Sequence, residues 1–297
     1  RSLKMQLNLQ NYKANIYEKY PFDDTKHSVI FLPGAGMDHR TLSMFDLSEL
    51  KDRFNILGFD LPGHGYTSGP IANSISDHSS FCIEVLNKLE IKKPTLIGHS
   101  WGGLVALDLS TKIEHKMTIC MNIAYPFMVG DMLLDYAKGN LDQAVEFLMK
   151  YGIYKFPETE IKTKGFGTMG SGFYGRKKGE IKSPYGTKVV EDDPDREIKL
   201  YPIKRLFNQS EKEISSIDLK SCNSFRLSDE QISSLKNIKY IFSEKDKLAR
   251  YNPDNVLLKD LNHDDDIIML DDVGHFPFFE SPDGINKVLT DLISKVD

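Results

Sequence analysis

The chain has 297 residues, of which 40% are hydrophobic, and its formal net charge is −5 at pH 7. A chain of this length can bury one large core, or a core that carries an insert. The mild negative charge excludes the basic face that nucleic-acid-binding proteins need, and no apolar run reaches the roughly 18 residues that span a bilayer. We therefore expect neither a nucleic acid nor a membrane as a partner.

The cysteines and the first residues give an expectation about cellular location. Cys82, Cys120 and Cys222 are far apart and odd in number, which favours reduced thiols over a disulfide framework or a zinc site. The opening segment RSLKMQLNLQ is too polar for a signal peptide, and we take Met5 as the first native residue. Together these observations predict a cytoplasmic protein.

Short apolar segments recur along most of the chain. The first two, MQLNLQN and KANIYEKY, predict a relatively exposed antiparallel hairpin at one edge of a sheet. Later segments are nearly continuous in apolar residues and predict buried strands: SVIFLPG, FNILGFDLPG, PTLIGHS, MTICMNI, IKYIFSE and DIIMLDD. Strands of this kind indicate a mainly parallel sheet that is covered on both faces.

Helical patterns lie between these strands. The segment ISDHSSFCIEVLNKLEI places Ile75, Phe81 and Val85 on about one face of a helix. The segment SPDGINKVLTDLISKV begins with Ser281 at the N-cap position and Pro282 at the first helical position. Strands that alternate with helices predict an α/β fold.

The alternation is interrupted between residues 127 and 237, which we predict to be an inserted, mostly helical cap on a core formed by residues 5–126 and 238–297. Two short helices are expected there, and the second has Asn140 and Gln143 in a capping-box spacing. The segment GFGTMGSGFYG follows, and we expect it to be mobile because glycine restricts the backbone least.

One short motif carries the strongest chemical signal. The segment LIGHSWGG contains Gly98, Ser100 and Gly102 in a Gly-x-Ser-x-Gly pattern. It follows a predicted strand and precedes a predicted helix, which is the setting of a nucleophile elbow. Glycines are needed there because a Cβ atom would clash with the neighbouring strand and helix. We therefore predict that Ser100 is a nucleophile.

A nucleophilic serine needs a base and an acid that orients it. Asp246 and His275 follow Ser100 in the order Ser, Asp, His, and each comes directly after a predicted strand. Such loops meet at the carboxyl edge of a parallel sheet, where catalytic groups gather. We predict His275 as the base and Asp246 as the acid, with Glu244 and Asp271 as the nearest rivals to Asp246.

The same chemistry needs backbone N–H groups that bind the developing oxyanion. The residue after the nucleophile supplies one such group, and an earlier strand-to-helix loop supplies the other. We predict Trp101 for the first, and Ala35 in the turn FLPGAGMDH for the second.

In combination, these stretches resemble the α/β-hydrolase superfamily, in the branch with a helical cap between the sixth and seventh core strands. The matching stretches are FLPGAGMDHR, FDLPGHGYTSG, LIGHSWGG, FSEKDKLA and DDVGHFPFFESPD. The resemblance covers nearly the whole core, from about residue 28 to 295. The resemblance implies a mainly parallel eight-stranded sheet flanked by helices. It also implies that Ser100 attacks an acyl carbon, that His275 takes the serine proton, and that Asp246 orients His275.

We expect a carboxylesterase that acts on a small-molecule ester with a small or medium acyl group, without metal or cofactor. Apolar side chains predicted to line its pocket are Met37, Phe127, Met128, Met132 and Phe173. An aminopeptidase of the proline-iminopeptidase type is the alternative enzyme, and a slow-turnover ligand receptor on the same fold is the alternative of another class. The sequence does not decide between a monomer and a homo-oligomer.

Overall fold

The fold is seen in a computed structural model, which describes residues 3–157, 190–207, 213–259, 261 and 263–296. Its centre is a sheet of eight strands in the order β1-β2-β4-β3-β5-β6-β7-β8. The strands are β1 (Leu3–Asn8), β2 (Lys13–Glu18), β3 (His27–Leu32), β4 (Phe54–Phe59), β5 (Thr95–His99), β6 (Met117–Met121), β7 (Ile238–Ser243) and β8 (Ile267–Leu270).

The strand directions confirm the predicted α/β sheet. Strands β1 and β2 form an antiparallel hairpin, and β2 also pairs antiparallel with β4. From β4 through β8 every neighbouring pair is parallel. The carboxyl ends of β3, β5, β6, β7 and β8 therefore meet at one edge, and the predicted catalytic loops leave from that edge.

Helices cover both faces of the sheet. They are α1 (Ile75–Lys88), α2 (Trp101–Ser110), α3 (Asp131–Gly139), α4 (Leu141–Gly152), α5 (Arg196–Lys204), α6 (Ile214–Ser224), α7 (Asp229–Ser234), α8 (His263–Asp266), α9 (Pro277–Glu280) and α10 (Pro282–Ile293). Short 3-10 helices lie at His39–Met44, Ser48–Leu50 and Val256–Leu258. None of the described helices is both long enough and apolar enough to cross a membrane.

The continuous apolar character of the strands follows from burial on two faces. In β3, Ile30 and Leu32 pack into one hydrophobic cluster with α1 and α2. Their neighbours Val29 and Phe31 pack into a second cluster with α10 on the opposite face. Side chains alternate across a strand, so both sets must be apolar when neither face meets water.

Helices α3 to α7 all lie between β6 and β7, in the segment predicted as a cap. Helix α3 packs against α4 and α6, and α6 also packs against α1 and α2. Asn140 caps α4 as predicted, because its side chain accepts a 3.1 Å hydrogen bond from the Gln143 N–H. Ser281 precedes α10, but its side chain makes no capping bond. The predicted Gly-rich segment lies outside the described residues.

Candidate active site

Ser100 occupies the sharp turn between β5 and α2. Its φ of 53° and ψ of −122° put it in a backbone conformation that non-glycine residues rarely adopt. The turn is possible only because the residues two positions to either side, Gly98 and Gly102, lack side chains. A Cβ on Gly98 would lie 2.2 Å from the Gly102 carbonyl oxygen, and one on Gly102 would lie 2.2 Å from that of Pro33. The predicted strand–turn–helix geometry around Ser100 is therefore present, with the steric reason expected for the glycines.

The structure brings together Ser100, His275 and Asp246. Nε2 of His275 lies 2.9 Å from the Ser100 Oγ, and Nδ1 of the same ring lies 2.8 Å from Oδ2 of Asp246. The rival acids are elsewhere: Glu244 is exposed and pairs with Lys245, and Asp271 is exposed. A serine, an imidazole and a carboxylate in this chain can move a proton from the hydroxyl to the ring.

Asp246 is held by donors that the sequence did not identify. It is 4% exposed. Its Oδ1 accepts 2.8 Å bonds from the backbone N–H groups of Leu248 and Ala249, and its Oδ2 accepts a 2.9 Å bond from the Asn122 side chain. Burial alone would raise the pKa of Asp246, but His275, the Ala249 N–H and Asn122 lower it below its ordinary value. Asp246 is thereby kept as an anion that faces His275.

His99 fixes the backbone of His275. Nε2 of His99 lies 2.8 Å from the His275 carbonyl oxygen, which can only accept, so this nitrogen carries the proton. Burial and the neighbouring His275 lower the pKa of His99 to about 3, so the ring stays neutral. The sequence places His99 beside Ser100 but gives no signal for this contact, which joins the end of β5 to the loop after β8.

Glu280 fixes the loop on both sides of His275. This carboxyl group is 1% exposed, and it accepts backbone N–H bonds from Gly274, Phe276, Tyr154 and Lys155 at 2.6–3.2 Å. Burial raises its pKa to about 7 against the pull of these four donors. The bonds to Tyr154 and Lys155 connect the His275 loop to the chain that follows α4.

The two predicted oxyanion donors belong to segments that touch each other. Ala35 lies in the turn after β3, which is closed by a 3.0 Å bond from the Met37 N–H to the Gly34 carbonyl. Gly102 abuts the Leu32 and Pro33 carbonyls at the start of that turn. Within the described part of the chain, neither the Ala35 N–H nor the Trp101 N–H donates to a protein acceptor, so both are available to a ligand.

A cavity of about 250 Å³ opens beside Ser100 and His275. Phe127, Met128 and Met132, which the sequence analysis named as pocket residues, are among its lining residues. Its other lining residues are mainly aliphatic or aromatic: Val129, Gly130, Leu133, Phe147, Leu148, Tyr151, Leu219, Lys247 and Leu248.

Met37, the fourth of the named pocket residues, is not among the lining residues of this cavity. Its side chain is 1% exposed and packs into the core cluster on the α10 side of the sheet. Phe173, the remaining predicted pocket residue, lies outside the described residues.

One group of three side chains in the described part of the chain has the donor types and spacing of a metal site. It comprises Asp38, His39 and Asp60, all buried. These carboxylates are already engaged by protein donors: Asp60 binds His39, and Asp38 binds Arg40. These hydrogen bonds therefore hold the loops after β3 and β4 in place.

Comparison with known protein families gives a match between residues 29–288 and the model of the family described as "Alpha/beta hydrolase family". A Mycoplasma pneumoniae protein described as "Putative esterase/lipase 1" is 21% identical over 291 residues, which cover 93% of this chain and 94% of that protein. An acetyltransferase component of an acetoin-cleaving system from Cupriavidus necator is 29% identical over 105 residues. That match covers 35% of this chain and only 28% of the relative, so the chain spans well under two thirds of its length.

Solved structures agree on the fold. The crystal structure of the enol-lactonase from Burkholderia xenovorans LB400 superposes with a TM-score of 0.71 at 14% sequence identity. The superposition covers 98% of this chain and 100% of that one. The likeness therefore extends over the sheet and the helices that follow β6.

Proposed function

Because the chain belongs to the Alpha/beta hydrolase family, we propose that it is a serine carboxylesterase that cleaves esters with small or medium acyl groups. The observation that carries the proposal is the unbroken chain of hydrogen bonds from Ser100 through His275 to Asp246. The esterase/lipase description of the Mycoplasma relative, which matches along nearly the whole chain, supports the same class.

The proposed reaction runs in two halves. Ser100 Oγ attacks the acyl carbon while His275 Nε2 takes its proton, and His275 then gives that proton to the leaving alkoxide. Water, deprotonated by the same nitrogen, attacks the acyl-enzyme and releases the acid. Asp246 stabilises the imidazolium that forms in each half, and its lowered pKa keeps it charged. The N–H groups of Ala35 and Trp101 bind the oxyanion.

The lining of the cavity supports an apolar acyl or alcohol group. Phe127, Met132 and Leu219 offer contacts that reward methylene groups, each worth about 0.8 kcal/mol when fully buried. The limited volume of about 250 Å³ favours short and medium chains over long ones.

The charges around the cavity favour an esterase over an aminopeptidase. An aminopeptidase needs a carboxylate to hold the free amino group of its substrate. Among the described lining residues there is no Asp or Glu, and Lys247 would repel an ammonium group. The acids of α3 and α4 are exposed; Asp142 and Glu146 face a neighbouring hollow, and Glu146 pairs with Arg196 there.

The test compares Ser100→Ala with the matched substitution Ser110→Ala at the other end of α2, where the hydroxyl donates to the Leu107 carbonyl of its own helix. A fluorophosphonate probe should label wild type and Ser110→Ala but not Ser100→Ala. The rate of p-nitrophenyl butyrate hydrolysis should fall by several orders of magnitude in Ser100→Ala alone. Without its nucleophile, an oxyanion site accelerates the reaction by only about 10³–10⁴-fold over the uncatalysed rate in water. Faster turnover of proline naphthylamide would indicate the aminopeptidase, and labelling with negligible turnover of every ester would indicate the receptor.

A further inference from the structure

Asp218 connects the segment between β6 and β7 to the turn that carries Ala35. It lies on α6 and is 1% exposed. Its Oδ2 accepts a 2.8 Å bond from the Gly36 N–H, the peptide group directly after Ala35. Gly36 has a φ of +68°, and a Cβ there would lie 2.1 Å from the Ser215 Oγ, so the turn lies flush against the first turns of α6.

His64 supplies a cation for this buried carboxylate. Its Nε2 lies 2.7 Å from the same Oδ2 of Asp218, and its Nδ1 lies 3.1 Å from the Pro62 carbonyl oxygen. Both ring nitrogens thus face acceptors, which suits the doubly protonated ring. Burial alone would lower the pKa of His64, but Asp218, the Pro62 carbonyl and Asp60 raise it above its ordinary value.

The pair also reaches the second oxyanion residue. The His64 ring stacks on the Trp101 indole at 5.4 Å between centroids. The indole N–H donates a 2.8 Å bond to the Ser221 Oγ, and Ser221 in turn bonds the Asp218 carbonyl. The His78 ring completes the cluster and lies nearly perpendicular to the indole, with 4.7 Å between the ring centroids. One turn of α6 therefore contacts the side chain of Trp101 and the peptide beside Ala35.

We propose that Asp218 and His64 are positioning residues that hold the two oxyanion donors, Ala35 N–H and Trp101 N–H, at the spacing that the transition state requires. The proposal rests on the serine hydrolase function proposed above. An oxyanion site works through donors that are already aimed before the reaction, and displacement by a fraction of an ångström weakens it. Since the donors bind the oxyanion more tightly than the ground-state carbonyl, loosening them lowers kcat and leaves KM nearly unchanged.

The decisive variant replaces the pair by apolar residues, Asp218→Leu with His64→Phe. A buried ion pair can often be exchanged for apolar side chains without loss of stability, and Phe can still stack on Trp101. The Gly36 N–H nevertheless loses its acceptor. We expect a thermal midpoint of unfolding near that of wild type, an unchanged KM, and a kcat lower by about 10–100-fold. This decrease is somewhat smaller than the decrease in kcat that follows removal of a whole oxyanion donor. A boronic acid, whose tetrahedral adduct with Ser100 places an oxygen in the same site, should bind more weakly by the same factor.

Two further variants separate positioning from packing. In Asp218→Asn an oxygen can still accept from Gly36, so its kcat should lie between those of the double variant and wild type. The matched control is Asp108→Leu with Lys112→Met, an apolar exchange of a different ion pair, formed by α2 and the turn that follows it, whose charged atoms lie 2.7 Å apart. It should leave kcat and boronic acid affinity unchanged.

A double variant with wild-type kcat and boronic acid affinity would overturn the proposal, as would an equal fall in the Asp108 control. If the double variant does not fold, the Asp218→Asn variant provides the test, because it preserves the shape of the side chain. A wild-type kcat in Asp218→Asn would then refute the proposal. Failure of the proposed function is seen separately, as absence of fluorophosphonate labelling at Ser100 in wild type.

Discussion

The side chain of Asn122 donates to the oxygen of Asp246 that also faces His275. The Asn122 Nδ2 lies 2.9 Å from this Oδ2, and His275 Nδ1 lies 2.8 Å from it. Asn122 follows β6 with a φ of 51°, a left-handed conformation that Asn tolerates better than most residues. The end of β6 therefore supplies a donor that aims the acid at the end of β7.

Loss of this donor should weaken catalysis without unfolding the protein. Asn122→Gly keeps the left-handed backbone and removes the amide, so kcat should fall by about 10–100-fold, in keeping with about 1.5–3 kcal/mol for a hydrogen bond to a charged group. The control is Asn237→Gly, because Asn237 also has a positive φ, 54°, but is exposed before β7. Steady-state kinetics on p-nitrophenyl butyrate measure both variants. Equal kcat values in the two would show that Asn122 only shapes the turn.

Asp246 and Glu244 should respond very differently to the loss of charge. Asp246→Asn removes the acceptor that fixes the His275 tautomer, and kcat should fall by about 10⁴-fold. Glu244→Gln alters an exposed carboxylate paired with Lys245 and should leave kcat within twofold of wild type. Kinetics of the two variants, with circular dichroism to verify folding, provide the measurement. If the larger loss followed Glu244→Gln, the acid would be misassigned.

The cavity should set the preferred acyl length. In a series from p-nitrophenyl acetate to palmitate, kcat/KM should rise by no more than about fourfold per methylene, and then fall once the cavity is full. Shortening Met132 to Ala should move the optimum to longer chains. Met269→Ala is the matched control, since Met269 is also partly exposed but lies on β8 outside the cavity lining. An optimum that is the same in all three proteins would mean that Met132 does not limit chain length.

Glu280 should make the fold less stable as pH rises. Its pKa is about 7 in the folded protein, against an ordinary 4.5. The folded state thus binds a proton that the unfolded state releases, so the stabilisation is complete below pH 4.5 and is lost as pH rises toward 7. At about 1.4 kcal/mol per pH unit the loss is on the order of 3 kcal/mol. Urea unfolding between pH 4.5 and 8 measures it.

The variant Glu280→Gln removes this titration. The difference in unfolding free energy between wild type and the variant should therefore slope between pH 4.5 and 7 and become flat above about pH 8. Glu49→Gln, at an exposed carboxylate in the second 3-10 helix, should reproduce the wild-type slope. A slope that persists in Glu280→Gln would assign the pH dependence to another group.

The sequence by itself determined the strands, the sheet type and the order of the candidate triad. Ile30, Leu57 and Ile97 lie in apolar runs that can only be buried, and burial on both faces specifies a parallel sheet covered by helices. Gly98 and Gly102 mark the turn at Ser100 because the steric requirement for them is local. Asp246 and His275 could be assigned because each directly follows a strand, and parallel strands bring their carboxyl ends to one edge.

Only the tertiary structure decided which side chains hold that site in place. The partners of Asn122, His99 and Asp218 are 124, 176 and 182 residues away along the chain. No local periodicity encodes such a contact, because its distance depends on how several elements pack. The burial of Met37 in the core has the same origin. Apolar and Gly patterns specify elements through short-range sterics and burial, whereas a 2.8 Å hydrogen bond between elements is specified only once the whole core is packed.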